Sequence, residues 1–161
     1  MGQVVTRAEL KSLASQWANS GKIVVSTNGC FDILHTGHVR ILKQARAHGD
    51  LLVVGLNSDE SVRRLKGAER PINCQEDRAE ILASLECVDY VTIFTEDTPV
   101  EFLKVLKPKT HIKGGDYSPE DLAEKPVIES WGGKLLLIDL VPDKSTTRLV
   151  DKIRLTRASN S

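Results

Sequence analysis

The sequence predicts a three-layer α/β/α fold, with one sheet of five parallel strands and helices on both faces. Three observations lead there. Short apolar runs of strand length, such as 51–54 and 135–138, recur along the chain; segments with helical spacing separate them; and glycines, prolines or small polar residues mark the joints. Strands covered on both faces read as continuous apolar runs rather than alternating ones, which is how a parallel sheet with crossover helices looks in one dimension.

Each element has its own signal. Thr6-Arg7-Ala8-Glu9 fits a capping box, Leu10, Leu13, Ala14 and Trp17 follow at helical spacing, and Gly21 closes a helix near residue 20. A β-branched strand spans 22–26, a loop 27–32, and a helix about 35–48, ended by Gly49. A second strand covers 50–56, Ser58-Asp59 caps a short helix to residue 65, and an irregular basic stretch runs over 66–73. Then come a helix over 75–85, a strand over 90–94, a helix over 99–107 with Pro99 in its first turn, and a strand over 110–113. A helix over 119–131 closed by Gly132-Gly133, a strand over 134–140 and a last helix from about Ser145 complete the chain. Asn28-Gly29 is also a two-residue hairpin signal, which would fold 30–34 back as a strand.

A chain of 161 residues can bury roughly 68–70% of its unfolded surface, enough for a real core. Without a repeat or a Pro/Gly/Ser linker it reads as one domain, with an N-terminal helix over 1–21, a core over 22–157 and a tail over 158–161. The 22 Lys+Arg residues balance 22 Asp+Glu, which removes the overall electrostatic footprint of a nucleic-acid binder. No apolar run approaches the roughly 18 residues of a spanning helix, and the first residues lack the apolar core of a secretory signal. Neither nucleic acid nor membrane is therefore expected as a partner. Cys30, Cys74 and Cys87 lack CxxC spacing, so reduced thiols and a cytoplasmic location are expected.

In open parallel sheets, ligands sit outside the carboxyl ends of the strands. The first such loop runs from Asn28 through Gly29, Cys30, Phe31 and Asp32 to His35, Thr36, Gly37 and His38. The glycines allow close backbone approach, the helix start offers unpaired N–H groups and a positive dipole end, and His35 and His38 share a face at i, i+3. Together they suit an anion. Two plainer readings stand beside it: helix capping by the histidines, and a zinc site of Cys30, His35 and His38 without a fourth ligand at familiar spacing. Arg63, Arg64, Lys66 and Arg70 form a basic cluster on the same side that could fold over a polyphosphate or be a solvated face. Arg78 reads either as a further phosphate ligand or as an exposed ion-pair partner. Lys113-Gly114-Gly115-Asp116-Tyr117 follows a strand directly and offers backbone amides plus a carboxylate, while Ser145-Thr146-Thr147 opens a helix as an N-cap or a phosphate holder. The chain has no GxxxxGK[ST] loop, no GxGxxG after the first strand and no GxSxG elbow, which sets aside P-loop phosphoryl transfer, the usual dinucleotide site and an acyl hydrolase.

The run Gly29-Cys30-Phe31-Asp32-Ile33-Leu34-His35-Thr36-Gly37-His38 resembles the signature of the cytidylyltransferase-like nucleotidyltransferases, whose HxGH motif opens the first crossover helix. The likeness spans about 23–154 and includes Asn57-Ser58-Asp59-Glu60, Glu76-Asp77-Arg78 and Ser145-Thr146-Thr147. Within that family, Arg64-Leu65-Lys66-Gly67, Arg70-Pro71-Ile72, Glu96-Asp97-Thr98-Pro99 and the Lys113 to Tyr117 loop look most like the adenylyltransferases of bacterial ADP-heptose synthesis. The resemblance implies a Rossmann-like nucleotidyltransferase fold and, because the chain is too short to hold a sugar-kinase half as well, a stand-alone enzyme. Its substrates would be ATP and a heptose 1-phosphate, with Mg²⁺ on the ATP oxygens and a homodimer left open as its assembly.

The resemblance further implies His35 and His38 on the α-phosphate, and Lys66, Arg64 and Arg78 on the triphosphate or incoming phosphate. Asp32 and Asn57 join Arg64 as phosphate or substrate contacts. Asn28, Gly29, Cys30, Phe31, Gly37, Lys113, Gly114, Asp116, Ser145, Thr146 and Thr147 would line the nucleotide. The competing functions are a cytidylyltransferase acting on glycerol 3-phosphate or a similar phosphorylated alcohol, and a nucleotide-sensing protein without turnover.

Overall fold

The computed structural model describes residues 1–115, 118–138, 146, 149–150, 152–153 and 155. Six strands form one parallel sheet: β1 (Gln3–Val4), β2 (Val24–Gly29), β3 (Leu51–Asn57), β4 (Tyr90–Phe94), β5 (Thr110–Gly114) and β6 (Lys134–Ile138), in the order β1-β4-β3-β2-β5-β6. The expected five strands become six because β1, only two residues long, carries no periodicity to read. It is held by pairing with β4 and by Gly2 N–H donating to Ala83 O.

The helices are α1 (Arg7–Asn19), α2 (Thr36–Arg46), α3 (Asp59–Lys66), α4 (Gln75–Ala83), α5 (Val100–Leu106) and α6 (Glu124–Glu129). The capping box of α1 is present, and Ser58 caps α3 through the Ser61 N–H. Alternation along the strands divides the core into two. Val25, Leu52, Val54, Leu56 and Ile112 pack on one side with α2 and α4, through Leu42, Ala45, Ala79 and Leu82. Val24, Val53 and Phe94 face the other side, against Leu10 and Trp17 of α1, Phe102 and Leu103 of α5, and Ile128 of α6. Arg7 ties the start of α1 to the loop after β4 by two hydrogen bonds to Glu96, at 2.6 and 2.7 Å.

Three expectations are corrected. The loop expected over 27–32 starts only after Gly29, and the alternative Asn28-Gly29 hairpin does not form: both residues continue β2 in parallel register with Gly55 and Leu56 of β3, on a strand that β5 also pairs up to Thr27. The single helix over 119–131 is a 3-10 turn at Pro119–Asp121 followed by α6. Pro126, lacking an N–H, is tolerated in a first turn but not in a helix interior, so the helix starts just before it. No helix among the described residues is long and apolar enough to cross a membrane.

The order of strands sets where a ligand can enter. The chain runs outward from β2 through β3 to β4 and then crosses back to β5 on the other side of β2. The switch point therefore lies between β2 and β5, whose carboxyl ends are Gly29 and Gly114. The sheet depends on close approach at Gly55, where a Cβ would stand 2.9 Å from the buried Phe102 ring. Gly55→Ala is expected to lower unfolding free energy by about 1–3 kcal/mol through overpacking; an unchanged denaturant midpoint would show that α5 can move aside.

Candidate active site

Loop β2–α2 leaves the sheet at the switch point. Phe31 takes a left-handed φ of 43°, and its ring returns under Gly29, where a Cβ would meet ring carbons at 3.1 Å. Gly29 is thus needed for the turn. His35 is the N-cap of α2, and its Nδ1 accepts a hydrogen bond from the Gly37 N–H at 3.1 Å. The capping reading and the anion reading are therefore compatible, since capping uses Nδ1 and leaves the ring proton on Nε2. His38 stacks on His35 with ring centroids 3.9 Å apart and meets the Phe31 ring at 5.2 Å. Burial, and then the neighbouring His35, push the His38 imidazole down to about 4, so the ring is neutral at physiological pH. Its buried Nδ1 has no hydrogen-bond partner among the described residues.

The loop is held by two buried charges. Arg78 of α4, 1% exposed, donates from Nε to Asn73 O at 3.0 Å, from Nη1 to Cys30 O at 2.5 Å and Asn57 O at 2.9 Å, and from Nη2 to Asp59 Oδ1 at 2.7 Å. Asp32, 2% exposed, accepts from the Arg70 Nε at 2.5 Å and from the Ile72 and Asn73 N–H groups at 2.7 and 3.0 Å. The Asn73 amide nitrogen closes the clasp on Asp32 O at 2.8 Å. Arg78 and Asp32, expected on phosphate, are thus occupied in joining loop 30–32 to 70–73. Asn57, also expected on substrate, is buried and donates to Ser61 Oγ at 2.9 Å. Arg64 is exposed but spends its charge on Asp97 and Glu60. Lys66, exposed at the end of α3, makes no ion pair among the described residues, and its field acts on the half-buried Cys30 thiol together with those of Arg78 and Arg70.

On the other side of the switch point, Lys113 is mostly buried, pairs with Glu124 of α6 and reaches Asn28 Oδ1 at 3.5 Å. Gly114 ends β5, opposite Ile138. Thr146 donates from Oγ1 to Ile33 O at 3.2 Å, which ties that residue to the same loop. Asp116, Ser145 and Thr147 lie outside the described residues. Sequence reasoning missed His111, Ser26 and Glu124. His111, fully buried, contacts Ser26 Oγ at 2.7 Å and Asn28 Oδ1 at 3.2 Å; a histidine inside a short strand was the available signal. A cavity of about 580 Å³ between α1, α5 and residues 131–133 opens at the amino ends of the strands and touches none of these residues.

The described residues do not form a metal cage. No group of three His, Cys, Asp or Glu is placed to hold an ion, so the zinc reading finds no support, and the Asp32, Asp59 and Glu124 carboxylates are each engaged by a cation.

Two buried neutral histidines make acid the weak side of the fold. Burial also drives His111 down to about 3. Unfolded, both rings return to about 6.5, so between pH 6.5 and 4 the unfolded chain binds protons that the folded one refuses. Stability is then complete above pH 6.5 and falls as pH drops through that window, by about 1.4 kcal/mol per pH unit for each ring. Urea unfolding from pH 4.5 to 7 measures the slope, and His111→Gln is expected to remove one ring's share; a flat profile would mean that the rings are solvated.

Residues 26–153 match the cytidylyltransferase-like family. The chain is 59% identical over 134 residues to the bifunctional protein HldE of Geotalea uraniireducens, a match covering 83% of this chain and 27% of that one. It is 49% identical over 158 residues to the HldE protein of Aliarcobacter butzleri, covering 98% and 32%. The chain therefore spans about three tenths of these relatives. Among solved structures it is similar to a lipopolysaccharide core biosynthesis protein of Thermoplasma volcanium, with TM-score 0.62 and 29% identity over 75% of this chain and 98% of that one. Pantoate-beta-alanine ligase of Francisella tularensis shares the fold, with TM-score 0.65 and 13% identity over 86% and 67% of the two chains. With the HxGH histidines stacked at the first crossover helix and most of its length matched, the chain belongs to the cytidylyltransferase-like family.

Proposed function

We propose that this chain is a sugar 1-phosphate adenylyltransferase, which transfers AMP from ATP to D-glycero-β-D-manno-heptose 1-phosphate and releases pyrophosphate. The product, ADP-heptose, would serve the lipopolysaccharide inner core. The observation that carries the reading is the stacked pair of imidazoles at the N-terminus of α2, beside the switch point of the sheet. The HldE relatives and the lipopolysaccharide core biosynthesis neighbour support the choice of sugar. Free thiols at Cys30, Cys74 and Cys87 suit a reducing, cytoplasmic setting.

The chemistry asks little of a general base. A sugar 1-phosphate, with a second pKa near ~6, is mostly dianionic at neutral pH. Its oxygen attacks the α-phosphorus of ATP, the new P–O bond forms as the bond to the β-phosphate bridging oxygen breaks, and pyrophosphate leaves with the electron pair. The protein supplies alignment and donors for the equatorial oxygens. The first-turn amides of α2 and the imidazole N–H groups of His35 and His38 provide those donors. Phosphate raises the proton affinity of both rings, but at 3.9 Å the two cannot both become cations cheaply, so the pair gains one proton at most. Lys66 holds the outer phosphates. Mg²⁺ would enter with ATP as its counter-ion and neutralise the triphosphate.

Pyrophosphate release from ATP, CTP and GTP against heptose 1-phosphate tests the reading. Turnover with ATP is expected; turnover with CTP alone would overturn it in favour of a cytidylyltransferase for a phosphorylated alcohol such as glycerol 3-phosphate. His38→Ala is expected to lower kcat by about 10²–10³, the scale of losing one oxyanion donor, with little change in Tm because the ring's buried Nδ1 has no described partner to lose. Undiminished turnover would make that histidine structural.

A further inference from the structure

Ser26 and Asn28 on β2, and His111 and Lys113 on β5, alternate onto one face of neighbouring strands, with Ser26 directly beside His111 in the register. Their side chains form a chain of contacts from the dry interior to the mouth of the site: Ser26 Oγ to His111 Nδ1 at 2.7 Å, His111 Nε2 to Asn28 Oδ1 at 3.2 Å, Lys113 Nζ to the same oxygen at 3.5 Å, and Lys113 to Glu124. Ser26 and His111 are both 0% exposed, while Asn28 is half-buried at the end of its strand.

The donors and acceptors of this chain can be assigned in one way. An ammonium only donates, so the Asn28 atom beside Lys113 is the carbonyl oxygen. His111 must then donate from Nε2, which leaves Nδ1 to accept the Ser26 hydroxyl. Turning the carboxamide over would set its NH₂ against the Lys113 ammonium, donor against donor, whichever tautomer His111 took. The Asn28 amide nitrogen is therefore the atom not held by His111 or Lys113, and it makes no hydrogen bond among the described residues; it offers N–H donors at the carboxyl end of the central strand. Around it the Lys113 charge is offset by Glu124, so the position suits a neutral acceptor better than a phosphate.

We propose that His111 is a positioning residue for nucleotide binding: it locks the Asn28 carboxamide so that the amide donates to an oxygen or nitrogen acceptor on the nucleoside part of the substrate. This rests on the adenylyltransferase reading for its substrate, and His111 itself touches nothing that reacts. The role predicts a particular split. Losing the lock weakens ATP binding, because the carboxamide is then held only by the long 3.5 Å contact to Lys113 and no longer keeps one orientation, while the chemical step at the α2 end is untouched.

The experiment is a double-mutant cycle on kcat and ATP KM, with ATP binding followed by calorimetry in parallel. His111→Leu is expected to raise the ATP KM and Kd about tenfold, the scale of one neutral hydrogen bond, with kcat and the sugar-phosphate KM within about twofold. His111→Gln, which can donate to Asn28 and accept from Ser26 at once, is expected to restore most of the affinity. In an Asn28→Ala background, His111→Leu should have no further effect. Should His111→Leu fail to fold, Ser26→Ala, which removes only the hydroxyl that holds the far side of the His111 ring, completes the same cycle with a smaller rise in KM. Equal ATP KM in all variants, an unchanged effect of His111→Leu without Asn28, or kcat and both KM values moving together would overturn the proposal. Loss of ATP binding in His111→Leu from a wild-type protein that binds ATP but does not turn it over would uphold the lock and reject the assigned reaction.

Discussion

The architecture of the site depends on a guanidinium taken out of water. Arg78 projects from α4 into the space under the strand ends and finds four acceptors there, three backbone carbonyls from separate loops and one carboxylate. A buried charge is tolerated only when it is fully coordinated, and removing partners from such a group typically costs about 3–5 kcal/mol. The loops that supply the carbonyls are therefore held where the arginine requires them. Asp32 works in the opposite sense across the same gap, gathering the N–H groups of Ile72 and Asn73 and the Arg70 side chain. The two charges are not paired with each other; each organises backbone of the other's loop.

This explains why a protein with ordinary hydrophobic cores can present a defined polar cleft. The two apolar clusters fix the sheet and the helices that cover it and reach as far as Phe31, Leu56 and Phe94, but beyond them the chain must leave the sheet and expose amides. There the polar clasp takes over. It sets the departure of residues 29–32 from β2, and through the strained turn at Phe31 and the His35 cap it sets the axis of α2 and the stack of the two imidazoles. A neutral His38 fits that place: burial removes its charge while the ring N–H can still donate to a phosphate.

Much of this was legible in one dimension. The helices of the first half, β3 to β5 to within a residue or two at their ends, and the HxGH pair at a helix start all follow from spacing and capping residues, because each is a local property. What was not legible is what depends on the order of the sheet. β2 runs on through Asn28-Gly29 because β3 pairs with it there, and no local signal announces that partner. Arg78 and Asp32 look like phosphate ligands in the sequence, since an arginine and an aspartate near a basic loop carry no mark of being buried. Likewise the contact of Ser26, His111 and Asn28 exists only because β5 returns beside β2, 85 residues after Ser26.

The clasp is the claim on which the rest stands, and Arg78→Lys tests it most directly, because lysine keeps the charge but offers a point donor that cannot serve four acceptors. Hydrogen exchange read together with ATP turnover should show amides 30–38 and 72–75 exchanging faster and turnover falling by about 10²-fold, the scale of small misplacement in a site, while the amides of β2, β3 and β4 stay protected. Wild-type protection of both loops with wild-type turnover in that variant would contradict the account.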